Sequence, residues 1–203
     1  MYQTGPPSVG LLAEPMLVIN QKLKLIELKN EFKIFDQHGQ QIGTAMQARQ
    51  SPLAFLARVF SDLDVALPMT LEVRDRGGNL ALTLHKPWFR MACSVTRGDG
   101  MALGTIRKRI RLGKARFGLL DPGGRDIGEV RAHNWRAKDF SVLDASGQEL
   151  ARVNKKWAGL RELFTDADNY VIQLNPAAPD PMRGLAVASV LAIDTVMKQK
   201  DTS

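Results

Sequence analysis

Apolar and polar residues alternate along much of this chain in short runs, and the alternation keeps breaking at the same kind of place. Phe32-Lys33-Ile34-Phe35-Asp36 turns at Gly39 and leaves through Ile42 and Gly43, and Leu71-Glu72-Val73-Arg74-Asp75 turns at Gly77 and Gly78 and leaves through Leu80 and Leu82. The run from Val95 reaches Asp99 and turns at Gly100; that from Phe117 reaches Asp121 and turns at Gly123 and Gly124; that from Phe140 reaches Asp144 and turns at Gly147. Period-two alternation is the mark of a strand with one buried face. Asp bonds backbone amides two residues on and Gly accepts the positive φ of a tight turn, so each unit reads as a β-hairpin. From Asp75 onward the units recur at 24, 22 and 23 residues, too close for a helical crossover, which predicts an antiparallel meander.

Five hairpins together with the runs 17–20 and 170–174 make about a dozen strands. A sheet that large curls, splits or closes, and closure removes its edges; a closed antiparallel barrel is therefore expected, in a mainly β domain spanning residues 11–203 after a short flexible lead at 1–10. Two helical segments interrupt the pattern. Ser51-Pro52 offers a cap and first-turn pair before Leu53, Leu56, Val59, Phe60 and Leu63, predicting an inserted helix over about 52–62. Asp180-Pro181 offers another before a segment that is apolar nearly all round, predicting a helix over about 181–198. Its uncharged stretch is short for a bilayer span and ends against Asp194, so it is expected to fill the lumen with Val187, Val190 and Leu191, while Asp194 requires a partner such as Lys198.

Charge changes the picture by its position. The net +7 comes from residues 85–138, which carry 13 basic and 4 acidic groups, and Arg107, Lys108, Arg109, Arg111, Lys114 and Arg116 concentrate it within ten residues. Such a patch suits phosphate on a lipid or on a nucleic acid, or serves as a solvated face. The single Cys93 cannot form an internal disulfide, and the first ten residues lack the charged and apolar pattern of a secretory leader; both fit a cytoplasmic location. His38, His85 and His133 lack zinc-ligand spacing, Gly98-Asp99-Gly100 followed by Gly104 matches neither nucleotide-binding fingerprint, and no nucleophile elbow occurs. No enzyme, cofactor or small-molecule substrate is inferred. Trp88, Trp135 and Trp157 each stand near cations, a setting shared by membrane interfaces and strand-end cores.

The stretch Asn154-Lys155-Lys156-Trp157-Ala158-Gly159 followed by Phe164-Thr165-Asp166-Ala167-Asp168-Asn169 and a strand carrying Ile172-Gln173 resembles the phospholipid scramblase signature, as does Ile193-Asp194 in the terminal helix. The resemblance implies the Tubby C-terminal-like fold, a 12-stranded barrel around a hydrophobic helix, shared with LURP-one-related proteins. It also implies a calcium loop beginning at Asp166. The loop would offer Asp166 and Asp168, but Val171 stands where a calcium loop turns at Gly and Ala177 where it supplies a bidentate carboxylate, leaving a weak candidate whose alternative is a structural turn. The expected function is a membrane-peripheral, scramblase-related protein whose patch at 107–116 meets an anionic phospholipid or phosphoinositide surface. The alternative is a nucleic-acid-binding or regulatory module using the same patch.

Overall fold

A computed structural model describes residues 9–22, 31–48, 68–111, 114–134, 139–154 and 168–193. A short helix α1 (Val9–Ala13) precedes twelve strands: β1 (Met16–Lys22), β2 (Glu31–Phe35), β3 (Gln41–Gln47), β4 (Met69–Asp75), β5 (Leu80–Lys86), β6 (Ala92–Arg97), β7 (Ala102–Arg111), β8 (Lys114–Leu120), β9 (Asp126–Asn134), β10 (Asp139–Asp144), β11 (Glu149–Asn154) and β12 (Asp168–Leu174). The last described helix is α2 (Met182–Leu191). Each strand pairs antiparallel with its neighbours in sequence, and β1 pairs with β12, Met16 facing Gln173 and Gln21 facing Asp168, so the sheet closes on itself. The barrel expected from the meander is the observed architecture.

The five hairpins are one structural unit repeated. In four of them the first turn residue is Asp36, Asp75, Asp121 or Asp144, whose Oδ1 accepts the amide of the residue four positions on, at 2.9 Å in each case. Gly39, Gly78, Gly100, Gly124 and Gly147 all take φ between 76° and 89°, and each donates its amide to the carbonyl three residues back. That left-handed geometry admits glycine without strain. A one-residue slip in register follows beside every turn, at Ile34/Phe35, Val73/Arg74, Val95/Thr96, Leu119/Leu120 and Val142/Leu143, so a bulge is part of the repeat. The third unit departs from the expected frame. Arg97 occupies the place that Asp holds in the others, donating its amide to Met101, and Asp99 sits two positions further on, paired to Arg97 at 2.6 Å.

Inward positions from the strands surround α2. Leu17, Ile19, Phe32, Ile34, Leu71, Val73, Leu82, Leu84, Ile106, Leu119, Val130 and Val142 form one buried cluster with Leu185, Val187, Val190 and Leu191. A barrel of this girth leaves a lumen that strand side chains alone do not fill, and the helix supplies the missing atoms. Gly184 lets α2 approach the wall: a β-carbon there would lie 2.5 Å from Leu103 Cδ1. Ser189, fully buried on the helix, donates to the Leu185 carbonyl at 2.7 Å, so it adds no unmet polar group.

Other expectations need adjustment. Asp180 does not cap α2. Pro181 holds the cap position without a side-chain bond, and the Asp180 carboxylate instead pairs with Arg97 at 3.2 Å, tying the start of the helix to the third hairpin. Helix α1 begins at Val9 and packs Leu11 and Leu12 into the core. Arg183 holds that helix by donating to the carbonyls of Leu12, Ala13 and Glu14. The inserted helix expected over 52–62 and the helical continuation through Asp194 to 198 lie outside the described residues.

Candidate functional site

Strands β7 and β8 form the longest hairpin, and their register sorts the cations of the 107–116 patch. Arg107 faces Gly118, Lys108 faces Phe117, Arg109 faces Arg116, and the pairing runs on to Arg111 opposite Lys114 at the open tip. Neighbouring residues of a strand point to opposite faces. Arg107, Arg109 and Arg116 accordingly stand exposed on the outer wall. Lys108 falls on the other face beside buried Phe117, where partial burial pushes its ammonium below the ordinary lysine range. The six cations thus do not form one surface; for Arg111 and Lys114 the structure describes the backbone pairing.

Like charges directly across a sheet repel, and the Arg109/Arg116 pair is offset by carboxylates from β9. Arg109 Nη2 meets Asp126 Oδ1 at 2.5 Å, Arg116 Nη1 lies 3.5 Å from Glu129 Oε2, and Glu129 Oε1 pairs with Arg131 Nη2 at 2.7 Å. Arg109 reaches Asp126 by lying across Gly118, where a β-carbon would fall 2.7 Å from the Arg109 Cζ. Arg107 has no ion pair among the described residues. These pairs are open to solvent, so they are weak and leave the guanidinium edges available. A guanidinium presents a planar fork of donors that matches phosphate oxygens, and the row therefore offers a phosphate-binding face.

The same hairpin borders a second feature. The amide of Lys108 donates to the carbonyl of Met91 at 2.8 Å, which ties β7 to the link between β5 and β6 at residues 87–91. At the base of that link Lys86 and Cys93 are both buried. Burial pushes the Cys93 thiol up to about 12, with the nearby Lys86 charge opposing the rise, so the thiol is not a nucleophile at neutral pH.

A third cluster was not expected from the sequence. On the outer wall of β9, β10 and β11, Arg152 pairs with Asp139 at 3.0 Å and approaches Glu149 at 3.5 Å, while Ser141 donates to Glu149 and lies 2.9 Å from His133 Nε2. Cross-strand register brings these residues of three successive strands together, a relation that their linear spacing does not display. Every member has a partner, and the cluster reads as a wall-stiffening polar network. Of the calcium candidates, Asp168 opens β12 opposite Gln21, and Asp166 lies outside the described residues. Among the described residues no group of His, Cys, Asp and Glu is placed to hold a metal, and no helix is long and apolar enough to cross a membrane.

A closed 12-stranded antiparallel barrel wound around an apolar helix defines the Tubby-like class of folds. A solved structure of an Arabidopsis thaliana protein matches it with a TM-score of 0.53 at 16% identity, covering 94% of this chain and 98% of that one. The family model described as Scramblase matches residues 3–199, nearly the full length, and the chain belongs to that family. Human phospholipid scramblase 2 is 24% identical to it, the match covering 93% of this chain and 69% of that protein. The yeast (Saccharomyces cerevisiae) protein named altered inheritance rate of mitochondria protein 25 is 25% identical, the match covering 84% of this chain and 61% of the relative. The chain thus matches about three fifths to two thirds of the length of these relatives.

Proposed function

We propose that this protein binds the surface of anionic phospholipid membranes from the cytoplasmic side, through the outer face of the β7–β8 hairpin, and supports phospholipid movement without a covalent step. The observation that carries this reading is the row of exposed guanidinium groups at Arg107, Arg109 and Arg116 on a barrel whose family relatives include phospholipid scramblases. Each Arg or Lys held near an anionic leaflet contributes about 1 kcal/mol of attraction, which decays over about 8 Å at physiological salt. Arg107, Arg109 and Arg116 together give a reversible, salt-sensitive association. This reading needs no calcium: Asp168 opens β12 opposite Gln21.

The test is sedimentation with vesicles of phosphatidylcholine alone, of equimolar phosphatidylcholine and phosphatidylserine, and of phosphatidylcholine doped with a phosphoinositide, each with and without duplex DNA as competitor. Binding to the anionic vesicles should weaken about tenfold or more in the Arg107→Glu/Arg116→Glu variant and should fall with added salt. Retention of full vesicle binding by that variant defeats the assignment of the face. Displacement by low concentrations of DNA transfers it to nucleic acid.

A further inference from the structure

The link between β5 and β6 exposes two aromatic rings that the fold does not use. Trp88 is 53% exposed and Phe89 78%, the largest exposure of any large apolar side chain among the described residues. The rings stand side by side, with centroids 6.1 Å apart and planes tilted by 34°. Phe89 adopts φ of 53°, the only positive value among the described non-glycine residues. A glycine would occupy that conformation with less strain, so folding does not account for a phenylalanine there. The link is nevertheless firmly seated: the Met91 carbonyl accepts the Lys108 amide, and Lys86 and Cys93 at its two roots are buried.

Charge says what the rings face. Arg90, next in the chain, is exposed, and Arg107 on β7 stands opposite Ala92, where β6 begins. Neither cation has an ion pair among the described residues. We propose that residues 87–91 are an interfacial anchor, in which Trp88 and Phe89 enter the headgroup and upper acyl region of an anionic phospholipid bilayer while Arg90 and Arg107 engage its phosphates. Tryptophan favours this depth because its ring is apolar while its N–H stays within reach of water and headgroups. The inference rests on the membrane-binding reading above and adds to it an apolar contact that salt does not screen.

The experiment compares the full chain with Trp88→Ala/Phe89→Gly and with Arg107→Glu/Arg116→Glu. The probes are equimolar phosphatidylcholine and phosphatidylserine vesicles and, separately, inositol hexakisphosphate, which carries phosphates without acyl chains. The aromatic variant should lose at least about tenfold in vesicle affinity, as expected for withdrawing two large apolar side chains, and keep its affinity for inositol hexakisphosphate. Its thermal midpoint should not fall, because both rings are exposed and glycine suits the backbone at 89. Vesicles with brominated acyl chains should quench the tryptophan emission of the wild type, with the quenching largely lost in Trp88→Phe. Unchanged vesicle affinity in the aromatic variant, with loss in the arginine variant, overturns the anchor and leaves the charged face standing. Wild-type protein that ignores vesicles, or that dimerises through these rings, overturns the anchor, and the first of these outcomes removes the membrane reading with it.

Discussion

The two ends of the barrel are built on opposite plans. At one end the five Asp or Arg turns satisfy themselves: side-chain carboxylates take backbone amides, left-handed glycines close each loop, and a bulge follows. Helix α1 and the Arg183 guanidinium cover this end and bring the start of α2 against it. At the other end the links differ in length and composition. Trp88 lies in the link 87–91 there, and Trp135 and Trp157 lie outside the described residues. Here the described link exposes its rings and the arginines of β7 climb toward the same rim. Repetition serves closure of the barrel, and the most exposed rings among the described residues stand where the repeat is interrupted.

The largest effect should come from striking what both ends share. Val190→Asp places an unpaired carboxylate in the packed lumen, a cost of several kcal/mol, and should leave the chain insoluble or unfolded by circular dichroism. The Cys93 thiol is the companion reporter. It should resist a thiol reagent at pH 8 in the wild type and react at once in Val190→Asp or in denaturant, because burial shields the thiol and pushes it up to about 12. Rapid labelling of the folded wild type would contradict the closed core.

The ends themselves are separated next. Gly124 has φ of 84° with open space around it, so Gly124→Val should cost about 1–2 kcal/mol through backbone strain alone, read as a lower thermal midpoint with vesicle binding intact. A smaller effect of opposite kind is expected on the outer face of β7 and β8. Asp126→Asn releases Arg109 from its carboxylate and removes a negative charge from the face, so affinity for anionic vesicles should rise a few-fold while stability barely moves. Asp144→Asn, in the β10–β11 turn and outside that face, should leave vesicle binding unchanged, and a rise there would show that only net charge matters.

The smallest effect concerns acid. Side-chain and backbone hydrogen bonds hold the carboxyls of Asp121 and Asp144, and of Asp75 against an opposing desolvation, below the ordinary carboxylate range. The unfolded chain therefore takes up these protons first as pH falls. The stability they contribute is fully present above about pH 4 and is lost below it, as the folded groups protonate. In a triple Asp→Asn variant, which keeps the acceptor oxygen but cannot titrate, thermal midpoints between pH 2 and 5 should fall less steeply than in the wild type.

Local chemistry was enough to read the hairpins, the closed barrel and the apolar helix at its centre, because Asp, Gly and period-two alternation act over a few residues and recur. The exceptions arise where distant segments meet. Sequence spacing placed Asp99 in the repeat, but main-chain pairing puts Arg97 there, which frees Arg97 to hold Asp180 and leaves α2 without its expected cap. Ten residues of dense positive charge looked like one patch, yet strand alternation sends Lys108 to the face opposite Arg107 and Arg109, and β9 supplies carboxylates that no local reading includes. The exposure of Trp88 and Phe89 was equally undecided, since an aromatic beside cations serves a core or a membrane rim equally well. Residue types and their spacing determined which segments would pair and what the lumen would hold. Only the three-dimensional register decided which charges are matched, which side chains share a face and which rings are left in the open, because those outcomes depend on neighbours across the sheet.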